Sequence, residues 1–205
     1  MNAAETPDSD STPNSESAPG SGTVPGPAIT ALGGGHGLYA TLSAVRRLTD
    51  RVTAVVTVAD DGGSSGRLRA ELGVVPPGDL RMALAALAGR DDEVRVWTET
   101  VQHRFGGTGA LAGHSVGNLI LAGLAEVAGD PVTALDMLAR VLDVRGRVLP
   151  MSPIPLDIEA DVSGLESDPR VSRCIRGQVA VATTPGKVRR VRLIESGFGV
   201  IGEVA

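Results

Sequence analysis

Stacking side chains are almost missing from this sequence. Aromatics make up 2% of its 205 residues, with one Trp, one Tyr and two Phe. Single-stranded nucleic-acid binders rest successive bases on aromatic platforms, so the composition argues against that class. The core has to be built from Val, Leu, Ala and Ile. Cysteine is equally scarce. Cys174 stands alone, which rules out a disulfide framework within the chain and a thiolate metal site. The expected role of Cys174 is that of a small, half-buried apolar residue.

Excess positive charge is also absent. The formal net charge is −5, from 24 acids and 19 bases. Glu5, Asp8, Asp10 and Glu16 fall in residues 1–27, which hold no Lys or Arg; the remainder carries 20 acids against 19 bases. Such a balance leaves no electrostatic footprint for DNA or an anionic membrane, and no nucleic-acid partner is expected. Lys187 is the one lysine, against 18 arginines. With abundant Ala, Gly and Val this reads as the coding bias of a GC-rich genome, so arginine counts by themselves carry little. No apolar run approaches the roughly 20 residues that span a bilayer. The opening residues lack the basic and apolar segments of a secretory signal, so the expected compartment is the cytoplasm.

What is present divides the chain in two. Residues 1–27 are Ser, Thr, Pro, Gly, Asn and acids. They cannot bury enough apolar surface to offset chain entropy and are expected to be a disordered acidic tail. Residues 28–205 are expected to form one α/β domain. Ala28 to Leu32 reads as a short buried strand, Gly33, Gly34, Gly35 and Gly37 as a turn, and Leu38, Leu42, Val45 and Leu48 as one face of a helix. Val52 to Ala59, "VTAVVTVA", is β-branched and continuous, the pattern of a strand covered on both faces. Together these make a right-handed βαβ unit.

Further along, Asp79 is expected to cap a helix from Leu80 to about Ala88. A second helix is expected from Asp92 to about His103. Leu119, Ile120, Leu124 and Val127 mark a third, ending near Gly129. Asp130 and Pro131 start a fourth as N-cap and first helical residue. From Val148 the pattern turns to strands. "GQVAVATTPGKVRRVRLI" predicts a hairpin about Thr184-Pro185-Gly186.

Several stretches carry more polar chemistry than a connector needs. Gly33 to Gly37, with His36 among them, sit where a helix start offers unpaired N–H groups and a positive dipole end. The dinucleotide fingerprint would require glycine where Leu38 stands, and no Gly-Lys-Ser/Thr follows; the motif says anion, not which nucleotide. Asp60 and Asp61 fall at the carboxyl end of the second strand, where open parallel sheets bind ligands. They suit a ribose hydroxyl or a Mg²⁺ ion held by one or two carboxylates. They lead into a loop, Gly62-Gly63-Ser64-Ser65-Gly66, followed by Arg67 and Arg69, whose guanidinium forks match phosphate oxygens. "GHSVGN" contributes His114, Ser115 and Asn118 at a helix start. It formally fits the nucleophile-elbow pattern, but the preceding "GGTGALAG" makes a poor feeding strand, so a hydrolase is set aside.

The segments "ALGGGHGL", "TAVVTVADDGGSSGRLR", "VPPGDLRMALAALA", "HRFGG", "LAGHSVGNLILAGL" and "VLPMSPIPLDIEADV" together resemble the YvcK group of the CofD-like proteins, also called gluconeogenesis factors. The resemblance runs from about Ala28 to Leu193. It implies a Rossmann-like, mostly parallel sheet flanked by helices, with a nucleotide-diphosphate type of ligand. YvcK-type members are associated with UDP-sugar binding, cell shape and cell-wall control during gluconeogenic growth. CofD enzymes are Mg²⁺-dependent 2-phospho-L-lactate transferases of deazaflavin cofactor synthesis, with a guanosine-linked donor. Carried over by motif, the resemblance implies that Gly33 to Gly37 approach ligand phosphates. Asp60 and Asp61 would serve metal or acceptor, with Asp61 catalytic if the chain is a transferase. Gly63, Ser64, Ser65, Arg67, Asp79, Arg81, His114 and Asn118 would line the cleft. The leading expectation is a UDP-sugar-binding regulator; a phospholactate-type transferase is second and a nicotinamide oxidoreductase third. The family continues into further strand and helix units that have no match here after Leu193. The expectation is therefore a form shortened at its C-terminal end, with an open sheet edge that invites a second copy.

Overall fold

The computed structural model describes residues 26–168, 170–195 and 199–204, the last of these as backbone only. The acidic-tail expectation for residues 1–27 thus lies almost wholly outside the described residues. Three strands form a parallel sheet in the order β1 (Ile29–Gly33), β2 (Val52–Val56), β3 (Arg147–Pro150). Ile29 to Gly33 align with Val52 to Val56, and Thr53 to Val56 with Arg147 to Pro150. The glycine turn and α1 (Gly35–Val45) provide the expected crossover from β1 to β2. Five helices separate β2 from β3: α2 (Gly63–Leu72), α3 (Pro77–Leu87), α4 (Asp92–Gln102), α5 (Val116–Ala128) and α6 (Pro131–Val141).

The core lies on one face of this sheet. Ala31, Val52, Ala54, Val56 and Val148 pack with Leu38 and Leu42 of α1, Leu84 and Leu87 of α3, and Leu138 and Leu142 at the end of α6. The other face is barely covered: Leu32 is 76% exposed, and Thr53 and Val55 are only half-buried. The expectation that β2 is covered on both faces is corrected here. β2 also stops at Val56, short of the expected Ala59.

Helix boundaries expose further corrections, each with a local cause. Leu48 is 70% exposed because α1 ends at Val45. Val127 is 86% exposed, since α5 buries Gly117, Asn118, Leu121 and Ala122 instead. α3 starts at Pro77, whose missing N–H costs nothing at a helix start; Asp79 is therefore a first-turn residue and not the cap. The Ser-Gly segment expected as a loop is the first turn of α2, with Gly62 before it. Asp130 does cap α6, accepting from Val132 N–H at 3.3 Å and Thr133 N–H at 2.7 Å.

A second, antiparallel sheet has the order β5 (Ser172–Arg176), β4 (Leu156–Ser163), β6 (Lys187–Glu195), β7 (Gly199–Val204). The hairpin about Thr184-Pro185-Gly186 does not form. Its first arm is a short helix, α7 (Gln178–Thr183), which packs on β4. β6 pairs instead with β4 and β7. Cys174 lies exposed on β5, not half-buried.

Few polar links join the two sheets among the described residues. Met151 N–H donates to Val56 O at 2.8 Å and so extends the β2–β3 pairing, and Leu156 N–H at the start of β4 donates to Val58 O at 3.3 Å. Asp157 of β4 takes guanidinium bonds from Arg69 of α2 and Arg176 of β5. Burial alone would raise the Asp157 carboxyl, but Arg176 and Arg69 hold it below the usual range. A depressed carboxyl stabilises the fold above its unfolded value of about 3.9 and loses that contribution as the pH falls through its lower folded value. Asp157→Asn removes the carboxylate charge that Arg69 and Arg176 share, at a cost of about 3 kcal/mol. Urea denaturation at pH 7 should report that loss, and the gap to the parent should shrink in strong acid.

Candidate functional site

The carboxyl ends of β1 and β2 open onto two adjoining cavities. The smaller, about 170 Å³, is lined by Asp60, Gly62, Gly63, Ser64, Ser65, Gly78, Asp79, Arg81, Met82, Arg104 and Asn118. The larger, about 500 Å³, is lined by Gly35, Thr57, Ala59, Asp60, Asp79, Met151, Leu156, Ile158, Gln178 and Leu193. Asp60 and Asp79 belong to both, so they stand at the shared wall. Larger surface depressions lie along α6 and β3 and beside Arg46, Arg90 and Arg145, but hold none of the motif residues.

Glycines bring these backbones together. Gly78 N–H donates to Ser65 Oγ at 3.0 Å, and a Cβ on Gly78 would fall 2.3 Å from that oxygen. A Cβ on Gly34 would lie 2.2 Å from Asp79 Oδ2 and 2.4 Å from Thr57 Oγ1. That contact locates the Asp79 carboxylate at the start of α1, where it takes the Gly35 N–H. Gly35 and Gly63 adopt φ of +58° and +50°, values that favour glycine.

Behind the smaller cavity runs a buried polar relay. Arg81, 6% exposed, donates from Nε to Asn118 Oδ1 at 2.9 Å. A guanidinium only donates, so Asn118 must present its oxygen to Arg81 and its Nδ2 to Ser64. That Nδ2 reaches Ser64 Oγ at 3.0 Å. The Ser64 hydroxyl lies 2.9 Å from His114 Nδ1 and is left with a hydrogen to donate. Burial first, then the Arg67 charge, push the His114 imidazolium down, which favours the neutral ring that can accept that hydrogen. Ser115, by contrast, is fully buried, and His114 is engaged by Ser64. The nucleophile-elbow reading finds no geometry to support it.

The electrostatics are split along the cleft. Burial, and then Arg104, lower Arg81 to about 10. Burial, then the neighbouring Asp60 charge, raise Asp79 above the usual carboxylate range. Asp60 Oδ1 accepts from Gly62 N–H at 3.0 Å, and Asp61 Oδ1 accepts from Val179 N–H of α7 at 2.9 Å. Among the described residues no three His, Cys, Asp or Glu converge as a metal cage. Mg²⁺ does not need one: it is commonly held by one or two carboxylates with waters and substrate phosphates. The Asp60 and Asp79 carboxylates fit that donor set.

Of the sequence-predicted residues, Gly35, Asp60, Gly63, Ser64, Ser65, Asp79, Arg81 and Asn118 line the two cavities, and His114 and Gly34 support them from behind. Gly33, His36, Gly37, Asp61 and Arg67 are not in the lining; His36 and Gly37 are exposed, and Arg67 Nη2 donates to Ala112 O at 2.7 Å. Sequence reasoning missed Arg104 and the apolar wall of Met151, Leu156, Ile158 and Leu193. "HRFGG" and "VLPMSPIPLDIEADV" carry Arg104 and most of that wall, but nothing local marks which of their side chains face a cleft.

The raised Asp79 carboxyl has a stability consequence. Its contribution is fully present below the unfolded value and is lost as the pH rises through the higher folded one. At pH 7 the charged group is therefore a destabilising one. Asp79→Asn keeps an oxygen for Gly35 N–H and removes the repulsion. It should raise the melting temperature of the ligand-free protein by a few degrees at pH 7, and the gain should vanish near pH 3; an unchanged or lower value at pH 7 contradicts the assignment.

Comparison with known proteins follows the same lines. Residues 29–201 match the family described as 2-phospho-L-lactate transferase CofD. A Mycobacterium leprae protein assigned by name to the gluconeogenesis factors is 74% identical over 168 residues, covering 82% of this chain and 47% of that protein. The Bacillus subtilis gluconeogenesis factor is 40% identical over 167 residues, covering 82% of this chain and 50% of that one. A crystal structure of a UPF0052-family protein from Bacillus halodurans superposes with a TM-score of 0.71 at 36% identity, over 84% of this chain and 53% of that one. The chain spans about half the length of the curated relatives it matches. By the match over residues 29–201 and the cleft its motif residues form, this chain belongs to the CofD family.

Proposed function

We propose that this chain carries the ligand cleft of a nucleotide-sugar-binding regulator of the gluconeogenesis-factor type, with a nucleoside-diphosphate sugar of the UDP class as its ligand. The observation that carries the reading is the division of one cleft into a small polar cavity, with two arginines and two serines in its lining, and a larger one with an apolar wall, meeting at Asp60 and Asp79. A ligand with a diphosphate and a less polar end matches such a division. The names of the relatives support gluconeogenic growth as the setting; a cytoplasmic place and control of cell shape and cell wall belong to the proposal. Mg²⁺ belongs to the proposal as a bridge between Asp60, Asp79 and ligand oxygens, where it would offset the carboxylate pair's charge. Asp61 would hold α7 against the cleft's rim through Val179.

The description of the matched family favours a second reading, transfer of phospholactate, for which the resemblance implies a guanosine-linked donor. The two differ in turnover. On the leading reading, calorimetric titration with a UDP-sugar gives saturable binding that Mg²⁺ strengthens, and incubation with the guanosine-linked donor releases no product. Asp60→Asn should weaken binding about tenfold in Mg²⁺, the scale of one charge-assisted contact, and abolish the Mg²⁺ dependence. Equal affinity for parent and variant, with and without Mg²⁺, would remove the metal bridge. Product release by the parent that Asp60→Asn abolishes would replace the regulator by the transferase.

A further inference from the structure

The start of α1 already has its anion. Asp79 takes the Gly35 N–H and stands against Gly34 and Thr57. A ligand phosphate directed at Gly33 to Gly37 would meet that carboxylate. The cleft's free positive pole lies elsewhere. Among the described residues, the N–H groups of Gly63, Ser64 and Ser65 in the first turn of α2 find no acceptor. Arg81, more than nine-tenths buried, spends only its Nε, on Asn118; its two terminal nitrogens have no partner among the described residues and belong to a side chain that lines the smaller cavity. Arg104, which lines the same cavity, lies close enough to repel it. Asp79 offsets part of the Arg81 charge, and Asp60 accepts the Gly62 N–H just before this helix; the terminal nitrogens of Arg81 and the three N–H groups nevertheless stay open to an added anion.

We infer that Arg81, Arg104 and the first turn of α2 form the phosphoryl subsite of the cleft, with Arg104 making direct contact with the phosphoryl oxygens. The inference deepens the nucleotide-diphosphate reading and rests on it for the identity of the ligand. The subsite fits a diphosphate better than a carboxylate, because guanidinium forks pair two oxygens each and two of them call for more than one negative charge. Arg81 is fixed in place: its Nε is bound to Asn118, and Gly117 leaves room for its stem, since a Cβ there would fall 2.8 Å from Arg81 Cδ. Arg104 is exposed and tied at one nitrogen to Gly113 O, so its other donors can close over the bound group. Asp60 and Asp79, on the shared wall, push the anion toward the arginines. The larger cavity, with Met151, Leu156 and Leu193, then receives the less polar end.

The probe is inorganic pyrophosphate, titrated calorimetrically into the parent, Arg104→Ala and Arg104→Lys, each with a melting temperature to establish folding. The parent should bind it saturably. Arg104→Ala should lose roughly tenfold or more in affinity, as expected for a charge-assisted contact. Arg104→Lys should fall between, retaining charge but not the fork. The salt dependence of binding should be shallower in Arg104→Ala, which a purely structural role for Arg104 would not produce. A parent that fails to bind pyrophosphate, or a folded Arg104→Ala with the parent's affinity and salt dependence, overturns the subsite. A parent that binds pyrophosphate through Arg104, yet binds UDP-sugars no more tightly, keeps the subsite and discards the nucleotide-sugar reading.

Discussion

Arg81 carries a positive charge into a place where little water follows, and the cleft is arranged around that fact. A guanidinium cannot accept a hydrogen bond and is not readily neutralised, so each neighbour must orient to it. Asn118 turns its oxygen inward, its amide reaches Ser64, and Ser64 is left with a hydrogen for His114. One fixed donor thus sets the direction of bonds across α3, α2 and α5. The same burial makes the charge costly, lowering Arg81 to about 10. The packing that confines it includes Gly117, which fits between Val101 and the arginine stem. Asp79, two residues earlier on α3, brings the opposite sign to the wall the two cavities share. A single short helix therefore supplies both poles of the cleft.

Much of this was legible in the residues. The βαβ start, the Asp130-Pro131 helix signal and the glycine stop at Gly129 are local rules that the tertiary structure leaves alone. The motif residues converge because each sits at a helix start or strand end on one side of the sheet. Other features were illegible for physical reasons. Val52 to Val56 reads the same whether one face or two are covered, since β-branched residues satisfy either. Gln178 to Thr183 alternates like a strand, yet Asp61 bonds the N–H of Val179 and the segment closes into a helix. That bond spans 118 residues of sequence, and no window reading can reach it. Arg104 is hidden for a related reason: in an arginine-biased chain, only its position opposite Arg81 distinguishes it from a solvated surface residue.

The glycine-rich turn illustrates how a motif can be read correctly for chemistry and misplaced for partner. A helix start does attract an anion at Gly35, but the anion is a side chain from α3. The turn then works as a joint that clamps α1 to α3, and the packing of α1 on α3 through Leu38, Leu42, Leu84 and Leu87 has the same consequence. Gly63 to Ser65 begin a helix of equal polarity whose N–H groups find no acceptor among the described residues.

The two sheets touch through few polar links among the described residues, and the cleft uses both. Asp60, Asp79 and Gly35 come from the parallel layer, while Leu156, Ile158 and Leu193 come from the antiparallel one. Anything that fills the larger cavity is therefore also a cross-brace between two plates otherwise pinned at Asp157 and Asp61. By linkage, a molecule bound there adds its own binding free energy to the contact between the two sheets.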